Sequence, residues 1–129
     1  MDSNLIGNVM KKKVLVVDDE RGIVKLLAMR LRVKGYEVLE AFDGLECVEL
    51  AMINKPHLII LDIKMPKGGG IEAYKKLNRS DKTKQIPVIF MTAYHTPEIN
   101  AQVLEMGAKE CISKPFDGNH ILNTIGMYI

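Results

Sequence analysis

The sequence predicts a single α/β domain, in which five helices cover both faces of a parallel, five-stranded sheet. Short apolar, β-branched runs alternate along the chain with segments of helical periodicity, which is typical of repeated β-α units. Three of these runs, at 13–17, 57–61 and 86–91, are almost continuously apolar, as strands buried on both faces are. A chain of 129 residues with 47% hydrophobic residues has material for one core and no room for a second.

The elements of the first half begin and end at residues with clear structural preferences. Residues 1–12 contain a glycine, end in lysines and are expected to be a flexible tail ahead of a domain at 13–129. Gly35 can end the first helix, and Asp43 can cap the second with Glu46 three residues later. The predicted elements are a strand at 13–17, a helix at about 20–34, a strand at 36–40, a helix between Asp43 and Pro56, and a strand at 57–61.

The second half continues the alternation. Pro66 and three consecutive glycines predict a loop that can approach a ligand closely. Thr96, Pro97 and Glu98 form a helix start, with a cap residue, a proline at the first helical position and an acid in the first turn. The predicted elements are a loop at 62–70, a helix at about 71–79, a strand at 86–91, a helix from Thr96 to Gly107, a strand at 111–113 and a last helix capped by Asp117.

Polar side chains follow four of the predicted strands. Short right-handed crossovers favour strand order 2-1-3-4-5, the doubly wound order called flavodoxin-like, and ligands bind such sheets at the carboxyl ends of the strands. Asp18 and Asp19 follow the first strand, Asp62 the third, Thr92 the fourth and Lys114 the fifth. We therefore expect these five side chains to meet in one pocket.

The chemistry of that pocket suggests a cation beside a phosphoryl group. Carboxylates so close together repel one another, so the cluster holds either a proton or a cation. Oxygen ligands favour a hard cation, and Mg²⁺ fits best. Lys114 adds a charge suited to phosphate and Thr92 adds a hydroxyl, which together suit phosphoryl transfer to a carboxylate. Taken singly, an Asp pair can be no more than a helix cap, so the prediction depends on the joint placement.

A magnesium-dependent phosphohydrolase or nuclease remains the alternative, since such enzymes also gather carboxylates at strand ends. Haloacid-dehalogenase-like phosphatases need a second Asp two residues after the nucleophile, where this chain has Lys64. A nuclease would favour further acids over Lys114. Dinucleotide binding fails, because the turn at 18–22 is acidic where a pyrophosphate needs glycines and backbone amides.

Four motifs resemble the receiver domain of two-component response regulators, from about residue 12 to the end of the chain. Their order and spacing both fit that family. They are Val17-Asp18-Asp19-Glu20, Leu61-Asp62-Ile63-Lys64-Met65-Pro66 with Gly70, Met91-Thr92-Ala93, and Ser113-Lys114-Pro115-Phe116.

The resemblance implies a phosphoacceptor module rather than an enzyme with a separate substrate. Asp62 would take its phosphoryl group from a sensor histidine kinase or a phosphotransfer protein. Asp19, Asp62 and the backbone carbonyl of Lys64 would ligate Mg²⁺, and Asp18 would act mainly through water. Lys114 would hold the phosphoryl oxygens. The bond from Lys114 to the next residue, Pro115, is expected to be cis.

The resemblance also implies how the signal leaves the pocket. Thr92 would report the acyl phosphate to the surface of the fourth helix, fifth strand and fifth helix, where an output domain or protein, or a second copy, would bind. Cys111 departs from the family, which usually has Tyr or Phe there. For Tyr94 the simpler interpretation is packing at the rim of the pocket, and the alternative is that it takes over part of the signalling role of the missing aromatic residue. Lys64 and Tyr94 flank the site and are expected to screen the acyl phosphate from water, so that autodephosphorylation is slow.

Composition narrows the partners further. The net charge is +2, and the basic run at 75–84 lacks interleaved aromatics, so no direct contact with nucleic acid is expected. No stretch approaches the ~20 apolar residues that span a bilayer, and the first ten residues lack the pattern of a secretory signal. No membrane contact is therefore expected. Cys47 and Cys111 are expected to be reduced core residues, and the protein to be cytoplasmic.

Overall fold

The computed structural model describes residues 5–6 and 9–129. Strands and helices alternate along this part of the chain from residue 13 onward, as the sequence predicts. The strands are β1 (Leu5–Ile6), β2 (Val9–Met10), β3 (Lys13–Val17), β4 (Glu37–Ala41), β5 (Leu58–Asp62), β6 (Val88–Thr92) and β7 (Glu110–Ser113). The helices are α1 (Arg21–Val33), α2 (Gly44–Asn54), α3 (Gly70–Asn78), α4 (Pro97–Glu105) and α5 (Gly118–Tyr128).

The strands from β3 to β7 form one parallel sheet in the order β4-β3-β5-β6-β7. Counted along the chain, this is the predicted order 2-1-3-4-5, which is confirmed. The central strand β3 has β4 on one side and β5 on the other, so the chain reverses direction across the sheet between them. That reversal opens a crevice at the carboxyl ends of β3 and β5.

The core lies on both faces of the sheet, because each central strand sends alternate side chains to opposite sides. Leu15 and Val17 of β3 pack in the cluster beneath α2, α3 and α4. Val14 and Val16 pack in the cluster beneath α1 and α5. All four side chains are fully buried, which explains why this strand is apolar at every position.

Local signals place the helix ends. The Asp43 carboxylate accepts a hydrogen bond from the Glu46 amide at 2.8 Å, and the Glu46 carboxylate accepts one from the Phe42 amide at 2.9 Å. The reciprocal pair of a capping box is therefore present, with the return bond one residue earlier than usual. Thr96 caps α4 by accepting from the Ile99 amide at 3.2 Å, as predicted.

Several strands begin and end a residue or two later than the sequence predicts. The predicted strands at 36–40, 57–61 and 86–91 are β4, β5 and β6, at 37–41, 58–62 and 88–92. The reason is that Asp62 and Thr92 still pair with neighbouring strands, opposite Met91 and Ser113 respectively. These two polar residues are thus held by the sheet itself rather than by a loop.

The N-terminal region holds a further short pair of strands. Leu5 and Ile6 of β1 pair antiparallel with Met10 and Val9 of β2. Residues 1–4 and 7–8 lie outside the described residues, so the flexible tail at 1–12 stays a prediction. None of the helices in the described part of the chain has both the length and the apolar character needed to cross a membrane.

Candidate functional site

The sheet brings the predicted polar side chains to one end of the molecule. Asp18 and Asp19 directly follow β3, and Lys114 directly follows β7. Asp62 and Thr92 are the last residues of β5 and β6. The carboxyl ends of parallel strands share an edge, so these five residues lie side by side in the crevice between β3 and β5 and across to β7.

Three carboxylates form the acidic part of the site. Asp18, Asp19 and Asp62 can each offer one oxygen so that all three atoms lie within 4.8 Å of one another. Asp18 is fully buried and Asp62 is 4% exposed, whereas Asp19 faces solvent. An oxygen-only cluster with one exposed member fits a hard cation that keeps some of its waters.

The ammonium of Lys114 lies among these carboxylates. Its Nζ atom is 2.7 Å from Asp18 Oδ2, 3.3 Å from Glu20 Oε1 and 3.4 Å from Asp62 Oδ1. The Lys114 side chain is only 8% exposed, so the ion pair with Asp18 is sheltered from water and is screened little by salt. The ammonium of Lys114 thus holds the buried carboxylates of Asp18 and Asp62 together.

Asp18 contributes structure as well as charge. Its Oδ1 atom accepts a hydrogen bond from the Glu20 amide at 3.0 Å, which fixes the turn between β3 and α1. Its Oδ2 atom faces Lys114 at ion-pair distance, but without the angles of a hydrogen bond, and has no hydrogen-bond partner among the described residues. A buried oxygen left in this state is chemically suited to a cation or to a water bound to one.

The electrostatics of Asp62 reflect this crowding. Burial, followed by the charge of Asp18, raises the pKa of the Asp62 carboxyl from 3.8 to about 7, although Lys114 acts in the opposite direction. Burial lowers the pKa of Lys114, but the close carboxylate of Asp18 and the charge of Asp62 outweigh it, and the pKa is raised. A cation beside Asp62 would relieve the repulsion and favour the ionised carboxylate, so the residues present fit a metal ion.

Thr92 is buried at the inner wall, with 1% of its surface exposed. Its Oγ1 atom accepts a hydrogen bond from the Tyr94 amide at 3.0 Å. The hydroxyl therefore bonds to the loop that leads to α4 in this conformation. Any movement of Thr92 into the crevice would break that bond and release the backbone at Tyr94.

Lys64 and Tyr94 contact each other at the site. The Lys64 Nζ atom lies 4.5 Å from the centroid of the Tyr94 ring, which is a cation-π distance. Both residues line one cavity together with Asp62, Glu20 and Lys114. The sequence predicted that both residues flank the site, but the contact between them depends on the fold.

The loop after β5 approaches Asp62 closely from behind. A Cβ atom at Gly70 would overlap the carbonyl oxygen of Asp62 and would lie 3.0 Å from the Cα atom of Ile63. The Gly70 amide donates to the carbonyl of Ile63 at 2.8 Å, which folds the loop back onto the end of the strand. Glycine is needed here for space, and the loop fixes the backbone on either side of the phosphoacceptor candidate.

Two residues that the sequence marked as modulators have clear environments. The Lys114-Pro115 bond is cis, as expected. Cys111 lies on the outer strand β7 opposite Phe90, is half-buried and packs against the core cluster on the α2, α3 and α4 side. Burial raises the pKa of the Cys111 thiol, so it resembles a core residue rather than a reactive one.

The sequence did not single out Glu20, whose carboxylate the structure brings to Lys114. The available signal was its position directly after Asp18 and Asp19, in a run of three acids where two were sufficient for the predicted site. Its partner lies 94 residues away, so no local pattern could reveal the contact.

A family model described as the response regulator receiver domain matches residues 14–126. Sporulation initiation phosphotransferase F of Bacillus subtilis is 35% identical over 93% of this chain and 95% of its own length. The alkaline phosphatase synthesis transcriptional regulatory protein PhoP of the same organism is 40% identical over 87% of this chain, but only 46% of its own length is covered. The chain thus spans about half the length of that relative.

Solved structures agree with this similarity. The chemotaxis protein CheY4 of Vibrio cholerae superposes with a TM-score of 0.87 and 31% sequence identity. The match covers 92% of this chain and 99% of that one. The five-stranded order and the five covering helices therefore belong to a known architecture.

Proposed function

Because this chain belongs to the response regulator receiver domain family, we propose that it receives a phosphoryl group on Asp62 and passes the signal on through its surface. The observation that carries the proposal is the environment of Asp62: a buried carboxylate at a strand end, with an ammonium at 3.4 Å and two further carboxylates beside it. The phosphoryl donor is a histidine of a sensor kinase or of a phosphotransfer protein.

The transfer needs positioning and charge neutralisation more than acid-base chemistry. A carboxylate oxygen of Asp62 attacks the phosphorus, the bond from phosphorus to the donor's nitrogen breaks, and the imidazole leaves with the electron pair and takes up a proton. Lys114, already 3.4 Å from Asp62, is positioned to hold the developing charge on the phosphoryl oxygens. Asp18 keeps Lys114 in place through their ion pair at 2.7 Å.

We assign the Mg²⁺ site to Asp19, Asp62 and the backbone carbonyl of Lys64. When bound, the ion would supply the positive charge that allows the buried carboxylate of Asp62 to ionise and the phosphoryl oxygens to approach. The solvent-facing carboxylate of Asp19 leaves room for waters and for phosphoryl oxygens around it. Asp18 is fully buried, so it would act on such an ion mainly through water.

The signal leaves through Thr92 in this proposal. Attraction of its hydroxyl to the phosphoryl group would break the present bond from the Tyr94 amide and change the loop before α4. The surface of α4, β7 and α5 would then bind an output domain, a partner protein or a second copy. Cys111 on β7 is smaller than an aromatic ring, so Tyr94 is the aromatic side chain that this mechanism can use near Thr92.

The lid formed by Lys64 and Tyr94 supports slow loss of the phosphoryl group. In this proposal the two side chains, with Lys64 Nζ 4.5 Å from the centroid of the Tyr94 ring, screen the acyl phosphate from water. We expect Lys64→Asn and Tyr94→Ala each to shorten the lifetime of the phosphorylated protein by about two- to ten-fold. The decay of labelled protein measures this, with Lys67→Asn on the same loop as a control, and an unchanged lifetime in both variants refutes the shielding role.

A direct experiment tests the proposed function. The protein is incubated with acetyl phosphate and Mg²⁺ and its intact mass is followed. We expect one phosphoryl group per chain, lost in Asp62→Asn and kept in the control Asp81→Asn, whose carboxylate is exposed. Repeated turnover of a phosphate ester without labelling of Asp62 would instead support the magnesium-dependent phosphohydrolase, to which none of the similar proteins described above gives support.

A further inference from the structure

Glu20 gives Lys114 a third carboxylate partner. The Lys114 Nζ atom is 2.7 Å from Asp18, 3.3 Å from Glu20 and 3.4 Å from Asp62. An ammonium has three N–H donors and no acceptor. Three carboxylate oxygens therefore already lie around it at ion-pair distance, and a phosphoryl oxygen that binds Lys114 competes with them.

The burial of the three partners decides which contact is given up. Asp18 is fully buried, and losing Lys114 would leave it as an uncompensated charge inside the protein. Asp62 stays close because it carries the phosphoryl group. The Glu20 side chain is 63% exposed, so water can replace Lys114 at little cost. Glu20 is the partner that is easiest to displace.

The start of α1 provides independent support that the Glu20 side chain contacts Lys114 and does not cap the helix. Glu20 occupies the N-cap position of α1, where Ser, Thr, Asp or Asn usually accept a hydrogen bond from the first turn. Its side chain makes no cap hydrogen bond and instead reaches the ammonium of Lys114. Its amide is held by Asp18 Oδ1 at 3.0 Å, which fixes the direction of approach.

We propose that Glu20 is a positioning residue that occupies, in the resting protein, the place of a phosphoryl oxygen on Lys114. The inference rests on the proposed function of Asp62 as phosphoacceptor. In the resting state Glu20 shares the ammonium with Asp18 and Asp62. During transfer the phosphoryl oxygen takes over that contact and the Glu20 carboxylate turns to solvent. Glu20 thus slows phosphorylation by competing for Lys114.

The size of the effect on the phosphorylation rate follows from the exposure of the Glu20 carboxylate. Lys114 is mostly buried but the Glu20 carboxylate is open to water, so removing this competing carboxylate should speed phosphorylation about two- to five-fold. The effect should shrink at high ionic strength, because the Glu20 carboxylate is accessible to salt. Loss of a purely structural contact would not speed the reaction.

The test measures the rate at which acetyl phosphate labels the protein in the presence of Mg²⁺, at low and high salt. In this step an oxygen of Asp62 bonds to phosphorus and acetate leaves with the electrons of the broken phosphorus-oxygen bond. We expect Glu20→Gln to be labelled faster. Glu20→Asp keeps the charge but is one methylene shorter, so it should also be labelled faster if contact with Lys114 matters. The control is Glu72→Gln, which removes a carboxylate with the same 63% exposure elsewhere on the surface.

A second measurement follows Lys114 directly. In the resting protein, the hydrogens of its ammonium should exchange with water faster in Glu20→Gln than in the parent, as seen by ¹⁵N NMR. With a phosphoryl analogue such as beryllofluoride bound, the two proteins should agree. An unchanged or slower labelling rate in Glu20→Gln overturns the inference, as does Glu20→Asp with the parent's rate. If the parent protein is not labelled at all, the proposed function itself fails.

Discussion

Replacing Asp62 by Asn should stabilise the metal-free protein, and by an amount that depends on pH. The carboxyl of Asp62 has its pKa raised from 3.8 to about 7, mainly by burial and by the charge of Asp18. Between pH 3.8 and about pH 7, the Asp62 carboxyl is therefore protonated in the folded protein but already ionised in the unfolded chain. The contribution of the Asp62 carboxyl to the free energy of unfolding is fully present below about pH 4 and is lost as the pH rises to about 7.

The magnitude follows from the size of the shift. At roughly 1.4 kcal/mol for each pKa unit, ionising Asp62 costs the folded state ~4 kcal/mol at pH 8 and ~2 kcal/mol at pH 5. Asn has nearly the same shape and no charge, so the variant avoids this cost. The gain in unfolding free energy from Asp62→Asn should thus grow by ~2–3 kcal/mol between pH 5 and pH 8.

Urea unfolding followed by circular dichroism in EDTA measures the effect, since the chain has no tryptophan for fluorescence. The control is Asp81→Asn, which removes one charge from a side chain that is 95% exposed. Adding Mg²⁺ at pH 8 should stabilise the parent and leave Asp62→Asn nearly unchanged. If parent and variant have parallel pH profiles in EDTA, the carboxylate of Asp62 is not destabilised by its surroundings and the reasoning fails.

Two further predictions concern the framework of the site. Gly70→Ala should destabilise the fold by ~1–3 kcal/mol, because the new Cβ would overlap the carbonyl of Asp62. In the control Gly126→Ala the new Cβ meets nothing within 4 Å, so this variant should be neutral or should stabilise α5 by up to ~1 kcal/mol. Equal urea midpoints for the two variants would contradict this prediction. Lys114→Met should lower the free energy of unfolding by ~3–5 kcal/mol, since it leaves Asp18 buried without a counter-charge. A loss no larger than the loss caused by the same substitution at an exposed lysine would contradict the importance of that pair.

The sequence was sufficient for the architecture because the relevant signals are local. The apolar runs, the cap at Asp43 and the Thr96-Pro97 start each place an element within a residue or two. Strand ends were less well predicted, because Asp62 and Thr92 are polar and yet complete the backbone pairing of their strands. Hydrophobic pattern alone cannot distinguish a polar residue that ends a strand from one that begins a loop.

The arrangement of side chains within the site was only partly predictable. Strand order places Asp18, Asp62 and Lys114 at one edge, which the sequence anticipated. It does not determine that Asp18 is fully buried against Lys114 or that Lys64 lies over Tyr94. Those contacts depend on side-chain rotamers and on packing between segments far apart in the chain. The sequence therefore identifies most of the groups that meet, but not Glu20, and how these groups pair is determined by the fold.

The ion pair between Asp18 and Lys114 has a consequence for biosynthesis. Asp18 is synthesised before Lys114, which follows the last strand of the sheet, so the pair forms only after β7 has been made. Until then, a compact N-terminal half would bury carboxylates that have no counter-charge. We expect nascent chains that end before β7 to avoid this compact state, so that stable folding is delayed until Lys114 has been made.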